Sequence, residues 1–137
     1  MHKATDEAKD KVKHFVNPPA IHINARMSVL DACKRMKKHK VGSILVSEGK
    51  NFVGIFTDAD LLTKVVAQSQ WPQKTLVTTV MTKEMIYIDS ESTMVAAFLK
   101  MQNHNVRHLV VKEEHDVMGV ISIKDVAKYY VHKFSEH

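Results

Sequence analysis

"GIFTDADLL", Gly54 to Leu62, is written a second time, with changes, as "GVISIKDVA", Gly119 to Ala127. Both stretches open on glycine, run through apolar residues to a hydroxyl (Thr57 or Ser122), and place an aspartate (Asp60 or Asp125) three positions beyond it. Sliding the chain by the offset between the two glycines, 65 residues, aligns far more than this motif. Ile21 falls on Ile86, Ile23 on Ile88, Ala32 on Ala97, Met36 on Met101, His39 on His104, Val41 on Val106, Val46 on Val111 and Glu48 on Glu113. Val12, Phe15 and Val16 fall on Val77, Val80 and Met81. A register that holds without a gap over this length is an internal duplication, and it governs every local reading that follows.

Within each copy the hydrophobic period changes in the same order. "AIHIN" and "MIYID" are short and β-rich. Val29, Ala32, Cys33 and Met36 then share one helical face, as do Met94, Ala97, Phe98 and Met101. Ser28 with Asp31 three places later marks the helix start as a capping pattern. The strand-length runs "VGSILVS" and "VRHLVVK" lead through turn-like "EGKN" and "EEHD" into "FVGIFT" and "VMGVIS". A closing helix follows in "DADLLTKVVAQ" and "IKDVAKYYVHKF". The expected fold is α/β (α+β), with tandem repeats of strand, helix, strand, strand, helix packed with pseudo-two-fold symmetry. The expected division is a lead-in helix over 1–11, repeat 1 over 12–68, a linker over 69–76 and repeat 2 over 77–137. Trp71, in the linker "SQWPQKTL", is expected to pack as a clamp over the seam, because large aromatics dominate local packing.

The totals set bounds. The chain has 137 residues, 45% hydrophobic and 26% charged, which suits one compact soluble unit with a real core. Cys33 is the only cysteine, so no internal disulfide forms, in keeping with a reducing cytoplasm. "MHKATDEAKDKVKHF" is too charged for a signal peptide, and no apolar run approaches the roughly 20 residues that span a bilayer. The expectation is a soluble, cytoplasmic protein. A net charge of +5 makes an anionic partner plausible. The densest basic run, "KRMKKHK" at Lys34 to Lys40, reads first as a solvated helix end that complements the dipole, with a nucleic-acid patch as the alternative.

Two readings compete for Thr57 with Asp60 and for Ser122 with Asp125. One is helix capping, the hydroxyl accepting from an amide and the carboxylate favouring the positive helix end. The other is ligand binding. A strand that runs into a helix start aims several amides at one spot, which suits phosphate. An aspartate one turn later can accept from both hydroxyls of a ribose. Metal and catalytic readings are weaker. Asp58 and Asp60 of "DAD" should point apart, and the nine histidines include no two-ligand cluster such as HExxH. Cys33 lies on an apolar helical face and reads as core filling. No base, nucleophile and orienting group converge, so no enzyme is expected.

A doubled strand, helix, hairpin, helix with a "G-apolar-x-[ST]-x-x-D" ending in both halves, and "TTVMT" opening the second copy, resembles the CBS domain pair, or Bateman module, here as a stand-alone protein. The resemblance covers Val12 to about Phe134. It departs from the family in "SILVS" and "HLVVK", which lack the proline that commonly follows the leucine. The resemblance implies a non-enzymatic regulatory module that binds AMP, ADP, ATP, NAD or S-adenosylmethionine in two clefts between the repeats. It also implies a homodimer that signals to an effector protein; the net charge and "KRMKKHK" keep a basic nucleic-acid-binding module as the alternative function. No catalytic cofactor is expected, and the residue pattern gives no metal site. By the resemblance, Asp60 with Thr57 and Asp125 with Ser122 take ribose and phosphate, while the opposite repeat holds the base. The Asp60 cleft would then draw on Ile55, Met81, Ile86, Val106, Arg107 and His108. The Asp125 cleft would draw on Val120, Val16, Pro19, Ile21, Val41, Gly42 and Ser43. Arg107, a fixed cation with no counterpart in "VGSI", makes the Asp60 cleft the expected anion site.

Overall fold

A computed structural model describes residues 10–135. The lead-in helix expected over 1–11 lies almost wholly outside the described residues. Of its end, Asp10 sits in a turn and Lys11 forms an isolated bridge with Thr93.

Two three-stranded sheets repeat one plan. In the first, β1 (His22–Asn24) pairs in parallel with β2 (Ser43–Glu48), which pairs antiparallel with β3 (Asn51–Thr57). The parallel pair needs a crossover, and α1 (Val29–His39) supplies it. β3 runs into a short α2 (Asp58–Asp60) that continues as a π-helix over Leu61–Val66. A one-turn α3 spans Val77–Val80. The second sheet has β4 (Tyr87–Asp89), β5 (His108–Glu113) and β6 (Asp116–Ser122), with α4 (Met94–His104) as crossover and α5 (Ile123–Ser135) closing the copy. Both hairpins break register at the matched place, between Val46 and Ser47 and between Val111 and Lys112. The expected element order therefore holds in both copies. The closing helices differ, regular in the second copy and π-wound in the first.

The chain folds as two compact units, one running Ile21–Met85 and the other joining the segment that ends at Ala20 to the stretch that begins at Ile86. Each copy thus donates its leading turn to the other copy's sheet. Val77, Val80 and Met81 pack on Ile23, Ile44, Val46 and Phe56, while Val12 and Val16 pack on Ile88, Leu109, Val111 and Ile121. Phe56, Ile23, Ile44, Leu109 and Ile121 are almost fully buried. Burying side chains of this size stabilises by about 1.5–3 kcal/mol each, so apolar packing holds each unit.

Polar details also follow the chain's chemistry. Ser28 caps α1 by accepting from the Asp31 N–H at 3.1 Å, and Thr93 caps α4 from the Ala96 N–H at 3.1 Å. α1 ends on Lys40 in the left-handed region (φ 56°), where α4 uses Asn105 (φ 52°). Trp71 differs from expectation: it is 62% exposed, with the Lys74 ammonium 5.6 Å from its ring. The linker around it is fixed by backbone bonds instead, Val29 N–H donating to Thr75 and Val77 N–H to Met27. Cys33 is half-buried, and desolvation raises its thiol pKa, consistent with an inert core thiol.

Lys11 and Lys13, which flank Val12, hold this turn to the loop that follows β4, their ammonium groups lying 2.6 and 2.7 Å from the Glu91 carboxylate. Hydrogen bonds from Lys11 and then Lys13 lower the Glu91 pKa from 4.5 to about 2. The unfolded chain therefore binds the proton more readily. This contribution to stability is full above pH 4.5 and fades as pH falls toward 2. Glu91→Gln is expected to flatten the acid limb of the stability–pH profile in that window, measured by urea melts at stepped pH. An unchanged limb would remove Glu91 from the acid response.

Candidate functional site

Each hairpin hands its last hydroxyl residue directly to a helix. The backbone is extended at Thr57 (φ −120°, ψ 167°) and helical from Asp58. The first amides of a helix have no intrahelical acceptors, so side chains must serve them. Thr57 Oγ1 accepts from the Asp60 N–H at 3.2 Å, while Asp60 Oδ2 accepts from the Thr57 N–H at 3.0 Å and the Thr57 hydroxyl at 3.2 Å. In the second copy Ser122 Oγ accepts from the Asp125 N–H at 3.2 Å. Asp125 Oδ2 accepts from the Ser122 N–H at 2.8 Å and the Ser122 hydroxyl at 3.0 Å. The capping reading is thus realised in full, as two reciprocal capping boxes. It leaves the ligand reading open, because a carboxylate offers about four acceptor positions and the box uses one oxygen only.

The two carboxylates spend their second oxygen differently. Asp125 is half-buried, and its Oδ1 has no hydrogen-bond partner among the described residues. Asp60 is only 5% exposed, and its Oδ1 accepts from the Thr82 hydroxyl at 2.9 Å and lies 2.9 Å from the Lys64 ammonium. The Thr82 hydroxyl is also 3.1 Å from Oδ2. Thr82 is itself anchored to β3, its N–H donating to Ile55 at 2.7 Å and its carbonyl accepting from Ile55 at 2.9 Å. The 65-residue offset explains the asymmetry, since it places Asn17 where Thr82 stands and Tyr129 where Lys64 stands. The Tyr129 hydroxyl instead accepts from Lys133 at 3.0 Å, and Lys133 reaches Asp10 at 2.9 Å. Burial and the Asp10 hydrogen bond raise the Tyr129 pKa, so the phenol stays protonated.

The other candidate residues fall into place unit by unit. In Ile21–Met85, the Gly42 carbonyl accepts from the Asp58 N–H at 3.0 Å and buried Ser43 pairs with Thr57. Val41 is exposed and Ile21 half-buried, whereas Ile55 and Met81 are buried beside Gly54. In the other unit the Arg107 carbonyl accepts from the Ile123 N–H at 2.8 Å and His108 pairs with Ser122. Ile86 and Val106 are half-buried against its core, Val16 is buried beside Gly119, Val120 is half-buried and Pro19 exposed. Within single units, then, Gly42 and Ser43 accompany Asp60, and Arg107 and His108 accompany Asp125. The groupings implied by the resemblance draw on both units. Thr82 and Lys64 were not singled out from the sequence. The spacing of Lys64, four residues after Asp60, was a legible signal for an ion pair. Asp58 is exposed where Asp60 is buried, so the "DAD" carboxylates do point apart. Among the described residues no three His, Cys, Asp or Glu side chains gather as a metal site, and no helix is long and apolar enough to cross a membrane.

The CBS domain family model matches residues 12–67 and again 77–132, and the chain belongs to that family as a CBS domain pair. It is 37% identical over 113 residues to the CBS domain-containing protein CBSCBSPB2 of Arabidopsis thaliana, covering 82% of this chain and 21% of that relative. The chain therefore spans about a fifth of the length of that relative. Its structure is similar to that of a protein with CBS domains from Burkholderia ambifaria MC40-6, at TM-score 0.82 and 28% identity over 89% of this chain and 94% of the other. The CBS domain protein PAE2072 from Pyrobaculum aerophilum, solved complexed with AMP, shares the fold at TM-score 0.73 and 22% identity, covering 84% of this chain and 88% of the other.

Proposed function

We propose that this chain is a non-enzymatic adenosine-nucleotide sensor, taking AMP, ADP, ATP, NAD or S-adenosylmethionine and signalling, as a homodimer, to a partner protein. The observation that carries this reading is Asp125. Its Oδ2 is fixed by the capping box and its Oδ1 is left to accept, at the head of a 13-residue helix. Ribose hydroxyls donate to such a carboxylate, and the positive end of the helix dipole favours a phosphate nearby. Arg107 and His108, which the resemblance assigned to the Asp60 cleft as its anion site, are proposed here instead as phosphate donors beside Asp125, where the Arg107 carbonyl accepts from the Ile123 N–H and His108 pairs with Ser122. The AMP-bound Pyrobaculum protein lends the ligand class through the shared fold. Bound nucleotide shifts the module between arrangements only by its difference in affinity for them.

One observation favours the nucleic-acid alternative. Lys34, Lys37, Lys38 and Lys40 are exposed along α1 without a salt bridge among the described residues. The two readings separate on one preparation. Titrating the five compounds while following thermal unfolding is expected to give a saturable rise in melting temperature, with Asp125→Ala weakening binding at least about tenfold. No rise, with steeply salt-dependent oligonucleotide binding that Lys37→Ala and Lys38→Ala reduce, would replace the sensor with the alternative.

A further inference from the structure

Resting on the nucleotide reading, we infer that the two halves are unequal: Thr82 and Lys64 close the Asp60 carboxylate, so the chain holds one adenosine nucleotide, on Asp125. A ribose reaching Asp60 would have to displace the Thr82 hydroxyl and the Lys64 ammonium from Oδ1, both at 2.9 Å. Thr82 is a strong competitor because its two backbone bonds to Ile55 hold the hydroxyl in place, whereas a free ligand loses translational and rotational freedom on binding. Displacement would also strand a part-buried hydroxyl.

The surface beside the motif glycine tells the same story. A Cβ built on Gly54 would meet Met81 Sδ at 2.6 Å and the Thr82 carbonyl oxygen at 2.9 Å, so this chain's own segment already occupies the close approach that the glycine permits. On Gly119 the nearest heavy atom is Val16 Cγ1, at 3.4 Å. Ile55 forms an isolated bridge with Thr82, whereas the register-equivalent pair, Val120 with Asn17, forms none among the described residues. The two copies each carry the carboxylate, and their difference at positions 64 and 82 closes one of them.

The test is nucleotide stoichiometry by native mass spectrometry, with AMP, ATP, NAD and S-adenosylmethionine as separate probes. Wild type is expected to bind one nucleotide per chain, Asp125→Ala none, and Asp60→Asn one. Thr82→Ala with Lys64→Ala, which removes both donors and makes room, is expected to bind two. Thr82→Val alone, which keeps the shape of the side chain and removes its hydroxyl, serves if the double variant does not fold, and is expected to show a weak second site. Two nucleotides per wild-type chain, or binding lost in Asp60→Asn but kept in Asp125→Ala, overturns the inference while leaving the nucleotide reading intact. No binding of any probe to wild type overturns that reading and this inference with it.

Discussion

Gly54→Ala is expected to destabilise the protein by about 3 kcal/mol and to lower its melting temperature by about 10 °C. The new methyl would sit 2.6 Å from Met81 Sδ and 2.9 Å from the Thr82 carbonyl oxygen. The thioether is the far end of a flexible side chain and can swing away. The carbonyl cannot, because it accepts from the Ile55 N–H at 2.9 Å while the Thr82 N–H donates back to Ile55 at 2.7 Å. Relieving the clash therefore breaks two backbone bonds at the edge of β3 and withdraws the Thr82 hydroxyl from Asp60. Overpacking alone costs about 1–3 kcal/mol, and the stranded Asp60 acceptor adds to it. Gly49→Ala is the control. Gly49 has φ 62° but nothing within 4 Å of its built Cβ, so that change carries only the left-handed backbone cost of about 1 kcal/mol. Calorimetry on both variants decides the matter, and a Gly54→Ala loss no larger than that of Gly49→Ala would show that the Thr82 segment yields freely.

Much of this architecture was legible because duplication makes each local reading twice. A lone apolar run such as "SILVS" does not distinguish strand from buried helix, but its partner "HLVVK" at the same offset repeats the choice, and both form the middle strand of their sheets. Val12 and Val77 also matched, yet their destination was hidden. The structure sends each leading segment to the other copy's sheet, a long-range choice that no local period encodes. Trp71 departs from its reading for a related reason, since composition favours burial of a large aromatic while the 3-10 turn Pro72–Lys74 that follows it brings Lys74 to its exposed ring instead. The motif residues were found at once, but their inequality was not. It depends on Thr82, distant in sequence from Asp60, whose role appears only when the β3 edge is seen to bind that segment through Ile55. The winding of the closing helix was equally opaque. "LLTKVV" and "VAKYYV" both have helical periodicity, and only the first is π-wound.

Asp60→Ala is expected to cost about 3 kcal/mol of stability, against about 1 kcal/mol for Asp125→Ala. Both variants lose a capping box, and at half-buried Asp125 water can serve the released Ser122 groups, which sets the smaller figure. At Asp60 the groups left behind are the Thr57 N–H and hydroxyl and the Thr82 hydroxyl, all gathered around a carboxylate that is 5% exposed. Each donor stranded away from water costs about 1–3 kcal/mol, and some recover part of this by relaxing. Lys64 adds little to the sum, because its side chain is 43% exposed and its charge returns to solvent; Lys64→Met should stay within about 1 kcal/mol of wild type. The difference between the aspartates thus measures buried hydrogen bonding and not charge pairing. Paired denaturant melts at neutral pH, with added salt as a second condition, test this. Salt should leave the gap nearly unchanged, since screening acts on the exposed ion pair and not on the buried donors. If the two variants lose equal stability, or if salt closes the gap, Thr82 does not hold Asp60 in solution and the two halves of the chain are equally open.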